Sequence, residues 1–476
     1  MYDGFPVQLR LEANKRSKMK WKEKMVNNKV FVSRTIFALL LSGPLSAGLF
    51  DSVDKVVNKP AQALTEVLPG TDAGTLLKVS DALPNRYIVV LKDGLNVTRS
   101  ANTLMRSYGG QADLNFSSVL NGFAAYLNKA QISALSLDKA VKYVEQDAIQ
   151  RISLGQAATP QASSSAQASP AGDKPETQTN ATWGLDRIDQ AGLPLNKSFT
   201  YTYSGKGVHA YIVDTGIRSD HKDFSSRLGD GINTSDDPKQ PPAGLLDPIF
   251  EALFGKKENP NDPTTDCNGH GSHVAGTVGG NEWGVAKAST LHAVRVLNCE
   301  GAGSNSTVIA GLDWIAKNAK TPAVVNMSLG GGASQAIDDA VEGLIKKGIT
   351  VVVAAGNDNK DACKSSPARA KPAITVAASN SNDARANFSN YGSCTDIFAP
   401  GKDITSAWMN GSTATKTISG TSMASPHVAG AVALLLEEDP KRKPSDIEKL
   451  LLSRASTGSI SDIKGSPNKL LLTGTK

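Results

Sequence analysis

The stretch Gly420-Thr421-Ser422-Met423-Ala424-Ser425-Pro426-His427-Val428-Ala429-Gly430 constrains what this chain can fold into more than any other. It sets a serine among small residues at the mouth of an apolar run, Val428 to Leu436, whose pattern predicts a buried helix. A hydroxyl at a helix N-terminus faces the positive end of the dipole and backbone N–H groups without helical partners. A nucleophile held there can attack a carbonyl and have the resulting oxyanion received. Taken alone, the segment reads equally well as a serine helix cap.

Two other stretches decide between those readings. Val208 to Val213 is a β-branched, mostly apolar run that ends in Asp214-Thr215-Gly216, so the aspartate falls at the C-terminal end of a predicted buried strand. Open α/β sheets gather their ligands at that edge. Asn268-Gly269-His270-Gly271-Ser272-His273 sets a histidine between two glycines ahead of a small-residue helix, where close backbone approach is permitted. The order Asp214, His270, Ser422 is one of the known chain orders for a nucleophile, its base and the group that orients the base. Asn357, on the loop Ala354-Ala355-Gly356-Asn357 after a predicted strand, offers a side-chain amide as oxyanion donor. His273 lies three residues beyond His270 but lacks the acidic third ligand of a zinc hydrolase, so it reads as structural.

These segments resemble the active-site signatures of the subtilisin-like serine proteases, and most closely those of the proteinase K and aqualysin-like branch. The resemblance covers the chain from about Gln178 onward. It implies an α/β fold of three layers with a mainly parallel central sheet, and alternating β-branched runs and helical periods agree. It also implies a serine endopeptidase with Asp214, His270 and Ser422 as catalytic residues and Asn357 in the oxyanion hole. Ser328, Leu329 and Gly330 match one wall of the specificity pocket, and Ala354, Ala355 and Gly356 match the other. Neither wall carries a charge, which implies cleavage after apolar or aromatic residues. Gly301, Ala302 and Gly303 match the edge strand that pairs with extended substrate. Asp396, with the backbone carbonyls of Lys371 and Ala373, matches a calcium site, so a structural Ca²⁺ is the expected cofactor.

Four cysteines suit two disulfides in a secreted protein, with buried free thiols as the alternative. Of three possible pairings, the resemblance implies Cys267–Cys299 and Cys363–Cys394, the latter tethering the loop that leaves Asn357. Pro84 to Ile152 reads as a small α+β unit. Its "RYIVVLK", "NGFAAYL" and "VKYVEQD" segments resemble the inhibitory prodomain that precedes this family, of ferredoxin-like fold. Such a prodomain would serve as intramolecular chaperone and inhibitor until autocleavage.

The expected organisation is a basic leader with a secretory signal (1–47), a propeptide segment (48–82), the prodomain (83–152), a linker (153–177) and the peptidase domain (178–476). The signal reading rests on Ile36 to Leu41 behind Lys29 and Arg34, with Gly43 to Ala47 after it, and translation could also start at Met19 or Met25. The Ala/Ser/Gln/Pro-rich linker buries too little apolar surface to order, and the maturation cut is expected close before Gln178. Gly231 to Asp266 is longer than in close relatives of the family and holds a potentially amphipathic stretch, Leu245 to Phe254. Lysine plus arginine exceed aspartate plus glutamate by 51 − 45 = 6, a modest charge without interleaved aromatics, so nucleic acid is not an expected partner. Ile36 to Leu41 is too short for a stable membrane anchor. The expected protein is therefore a secreted monomer acting on proteins and peptides. A catalytically dead binding module or a peptide ligase would need a changed triad residue or a cysteine nucleophile, and the sequence has neither change.

Overall fold

Nine strands form the central sheet, in the order Ser456–Thr457, Lys469–Leu470, Ile397–Pro400, Ile374–Ser379, Thr350–Ala354, Ala323–Met327, His209–Asp214, Thr290–Arg295 and Ile232–Asn233. All neighbours run parallel except the first pair. The structure, a computed structural model, describes residues 75–152, 154–155, 175–224, 226–236, 262 and 265–474. The leader and signal, most of the 48–82 segment and Leu245 to Phe254 lie outside the described residues.

The inner strands read as continuous apolar runs because helices cover both faces, as in Ala323–Met327, which is buried throughout. Alternate side chains go to opposite layers. Ala210 and Ile212 join Val274, Val428 and Val432 under the helices His270–Gly279 and Thr421–Glu438, while Tyr211 and Val213 join Val308, Ile337 and Val341 under Asn305–Asn318 and Gln335–Lys346. Gln335–Lys346 buries one stripe, Ala336, Ile337, Ala340, Val341 and Leu344, and Ser334 caps its start. Thr421–Glu438 is buried all round from Thr421 to Leu436, which accounts for its lack of a polar face. No described helix is long and apolar enough to cross a membrane.

The N-terminal unit is a sheet in the order Thr75–Leu77, Val141–Arg151, Ala82–Leu91, Gly122–Tyr126, Ala112–Phe116. Helices Val97–Tyr108 and Lys129–Ser136 pack on it through Leu104, Met105, Ile132 and Leu135. It begins earlier than residue 83, because Thr75–Leu77 pairs in parallel with Tyr143–Glu145. Its last strand also runs past Asp147 to Arg151, where Ala302–Ser304 of the peptidase domain adds to its edge. The stretch expected as linker from 153 is structured at both ends: the Gly155 N–H donates to the Ser419 carbonyl at 2.7 Å, and Glu176–Thr179 pairs with Ser198–Tyr201. Residues 156–174 lie outside the described residues.

Candidate active site

Asp214 closes its strand with a fully buried carboxylate, and His270 opens its helix. Glycines let the two motifs touch. A Cβ on Gly271 would lie 2.1 Å from the Gly216 carbonyl oxygen, and Gly269 holds a left-handed φ of 98° beneath Trp408. Asp266 fixes the turn between them: its carboxylate accepts from Gly269 N and Ser272 N at 2.8 Å, from Ser272 Oγ at 2.6 Å and from Thr215 Oγ1 at 2.9 Å. Burial pushes the Asp266 carboxyl up, and these donors oppose the shift. His270 Nδ1 then stands 2.8 and 2.9 Å from the two Asp214 oxygens. A carboxylate can only accept, so Nδ1 carries the proton and Nε2 presents a lone pair. That Nε2 has no hydrogen-bond partner among the described residues.

Ser422 is the second residue of its helix. Its Oγ donates to the Ser328 carbonyl at 3.1 Å rather than to His270. Across from it, the Asn357 carbonyl oxygen accepts from Thr421 N at 2.8 Å and Thr421 Oγ1 at 3.0 Å, which turns the donor end of the amide away from Thr421. Asn390 braces this loop by accepting from the Asp358 and Lys360 N–H groups and donating to the Ala355 carbonyl at 2.9 Å. Asp266 and Asn390 both escaped the sequence reading. The acid–glycine spacing Asp266-x-x-Gly269 carries a weak turn signal, whereas Asn390 has no local one.

A groove runs past these groups, and the prodomain tail fills it as an antiparallel strand. Ile149, Gln150 and Arg151 pair with Ser304, Gly303 and Ala302 on one side. The Ile152 N–H continues that side by donating to the Gly301 carbonyl at 2.9 Å, and on the other side Arg151 and Gly330 exchange two backbone bonds of 3.0 Å. Of the residues expected to wall a specificity pocket, Ser328, Leu329, Ala354 and Ala355 are buried and Gly356 takes a left-handed φ of 103°. Further grip comes from carboxylates set at helix N-termini. Glu145 accepts from Ser334 Oγ, Gln335 N and Ala336 N, while burial pushes its carboxyl up to about 7. Asp147 accepts from Ser306 N and Oγ.

Disulfides join Cys267 to Cys299 and Cys363 to Cys394. His273 spans a neighbouring hairpin through Nε2 to the Ile404 and Lys416 carbonyls. Asp396 accepts from Thr375 N at 2.7 Å, and burial together with nearby Glu448 pushes its carboxyl up to about 6. Among the described residues no three His, Cys, Asp or Glu side chains gather to hold a metal ion, so a cation at Asp396 would draw its remaining oxygen ligands from backbone carbonyls.

Residues 205–470 match the subtilase family and residues 86–153 match the peptidase inhibitor I9 family. The chain is 45% identical over 419 residues to an extracellular serine proteinase of Thermus sp. (strain Rt41A), covering 83% of this chain and 91% of that one. It is 43% identical over 420 residues to alkaline serine exoprotease A of Vibrio alginolyticus, covering 86% and 71%. A crystal structure of a cold adapted subtilisin-like serine proteinase, 47% identical, superposes with a TM-score of 0.56 over 63% of this chain and all of that one. Its parallel sheet, a buried aspartate–histidine pair facing a serine helix, and an inhibitor unit seated in the groove all meet in one chain, which belongs to the subtilase family and is a secreted serine endopeptidase with its own I9 prodomain.

Proposed function

We propose that Ser422, His270 and Asp214 cut peptide bonds, preferring apolar or aromatic residues before the cut in free substrates, and that the first bond cut is the chain's own Ser153–Leu154, selected by the seating of the tail in the groove and not by that preference. As Ser422 Oγ attacks the carbonyl carbon, His270 Nε2 takes its proton, and the oxyanion is received by the Asn357 amide and the Ser422 backbone N–H. The C–N bond breaks as His270 returns that proton to the leaving amine, and water then repeats the sequence on the acyl-enzyme. Asp214 orients the imidazole and stabilises its charged form. Ser422 must first rotate about χ1 away from the Ser328 carbonyl.

The tail register carries the reading. Arg151 bonds to Gly330, Ile152 to Gly301 and Gly155 to Ser419, three residues before Ser422. The anchors at Ile152 and Gly155 bracket three bonds, and the middle one, 153–154, is the bond taken as the one cut. The cut then falls well before Gln178, and residues 154–177 start out as an extension of the peptidase. Uncharged Leu329, Ala354 and Ala355 support the apolar preference. Ca²⁺ at Asp396, with the Lys371 and Ala373 carbonyls, and a monomeric state complete the proposal.

Casein digestion by purified full-length protein, with and without phenylmethylsulfonyl fluoride, tests the activity. N-terminal sequencing of the product tests the cut. A mature chain starting at Leu154, or trimmed from there, is expected, and a Ser422→Ala protein that matures unaided would sink the assignment.

A further inference from the structure

The tail holds one side chain in a way that the apolar pocket does not explain. Gln150, the fourth residue before the proposed cut, is 1% exposed, and its Nε2 donates to Asn305 Oδ1 at 2.8 Å. Asn305 is wholly buried at the first position of the helix Asn305–Asn318, next to Ser304, which caps that helix. Ser306, the following residue, is bonded to Asp147, so the segment bearing Asn305 is held on both sides. Gly331 closes the pocket from above: a Cβ there would come within 2.8 Å of Gln150 Nε2. Gln150 Oε1 and Asn305 Nδ2 are the other buried ends of the two amides, and neither has a partner among the described residues. Two primary amides can satisfy each other reciprocally, one donor and one acceptor apiece.

We propose that Asn305 is a specificity-determining residue that selects a glutamine-like amide side chain at the fourth position before the cut. The proposal rests on the reading that substrates lie in the groove as the tail does. An apolar side chain in this pocket would strand both ends of a buried amide, and a site built to hydrogen-bond rejects such a ligand more firmly than a hydrophobic pocket rejects a polar one. A serine before the cut also gives the wide neighbouring pocket little to hold, so the fourth position carries more of the selection.

Matured enzyme is assayed on quenched peptides Xaa-Arg-Ile-Phe-Leu-Gly in which Xaa is Gln, Met or Leu. Wild type is expected to favour Gln over Leu and Met by about tenfold in kcat/KM, the value of roughly one buried hydrogen bond. Asn305→Leu is expected to reverse the order. The ratio is internal to each enzyme preparation, so partial loss of folded protein cancels. Asn305→Ser, expected to lose the preference without reversing it, serves if the leucine variant does not fold. Equal or better cleavage of the Leu peptide by wild type, or a Gln preference that survives both substitutions, would overturn the proposal. If wild type cleaved none of the peptides, the proteolytic reading would fall instead.

Discussion

Ser328 and Ser422 exchange reciprocal hydrogen bonds: Ser422 Oγ donates to the Ser328 carbonyl at 3.1 Å, and Ser328 Oγ donates to the Ser422 carbonyl at 2.9 Å. The second bond fills a gap that the sequence creates. Pro426 lies inside the serine helix and has no N–H, so the carbonyl four residues before it, that of Ser422, has no helical donor. Ser328 supplies one, while its own Oγ accepts from Asn326 Nδ2 at 2.9 Å.

Ser328→Ala therefore strands a buried carbonyl and a buried amide donor. It is expected to cost about 1–3 kcal/mol of stability, and to lower kcat more than it raises KM because the nucleophile loses its mooring. Pro426→Ala returns an N–H to the helix, so the double variant is expected to lose less stability than the sum of the singles. Chemical denaturation of all four proteins in a Ser422→Ala background checks this, and strict additivity would argue against the compensation.

Removing the oxyanion donor should leave the fold intact, since Asn357 bonds mainly to Thr421 through its oxygen. Asn357→Ala is expected to lower kcat by roughly 10²–10³, a magnitude carried over from other serine proteases, with KM nearly unchanged. Asn390→Ala, which never meets substrate, is expected to lower kcat in the same direction but less, because it frees the Asp358 and Lys360 N–H groups. Steady-state kinetics on one apolar peptide separate the two cases.

Much of the fold was legible in advance because the residues proposed to carry the chemistry sit in short glycine-flanked segments, each specifying its own turn and helix start. Asp214, His270 and Ser422 announce themselves that way, as do the apolar runs that became Ala323–Met327 and Thr350–Ala354. What escaped depends on partners far apart in the chain. Ala112–Phe116 alternates too weakly to signal a strand and exists by pairing with Gly122–Tyr126. Arg151 lies beyond the apolar pattern of its strand, which Ala302–Ser304 and Gly330 extend from another domain. The low-apolar composition after Ile152 hid the same effect, since Gly155 is held by a backbone bond and needs no hydrophobic side chain.

Buried neutral histidines make a pH prediction. Burial pushes His427 down to about 4, and its Nδ1 donates to the Met423 carbonyl at 2.8 Å. The unfolded side chain titrates near 6.5, so between those values only the unfolded state takes the proton, and stability falls as pH drops through that window. Other groups cancel when wild type is compared with His427→Gln in phenylmethylsulfonyl fluoride-inhibited enzyme. The stability advantage of wild type is expected to shrink by about 2 kcal/mol between pH 7 and pH 5. A pH-independent difference would mean that His427 takes its proton equally well in the folded and unfolded states.

Chelation tests the proposed cation. Burial, with a smaller push from Glu448, raises the Asp396 carboxyl, and a cation bound there would offset both effects. EDTA is expected to lower the thermal midpoint of wild type and to leave that of Asp396→Asn unmoved. Equal shifts in both would place the ion elsewhere.

The two cross-links are expected to differ in function, although Cys363–Cys394 is the one that tethers the loop leaving Asn357. The loop from Gly356 to Ala362 is already held without it, by Asn390, by Asn359 N to the Phe388 carbonyl and by Ala362 N to the Tyr391 carbonyl. Cys267–Cys299 instead ties together two turns that are each held internally, one by Asp266 and the other by Asn298. Cys267 lies three residues before His270, and Cys299 adjoins the strand Ala302–Ser304 that grips the tail, with Asn268 Nδ2 donating to the Cys299 carbonyl at 2.9 Å. Both close loops of similar length, with separations of 32 and 31 residues, so each is worth about 3–4 kcal/mol in the chain-entropy picture. Cys267→Ser/Cys299→Ser and Cys363→Ser/Cys394→Ser are therefore expected to lower the thermal midpoint alike. Only the first pair is expected to raise KM and lower kcat at moderate temperature, because it loosens the base and the substrate edge together. Equal kinetics in the two double variants, measured well below their midpoints, would show that the histidine turn is held by Asp266 alone.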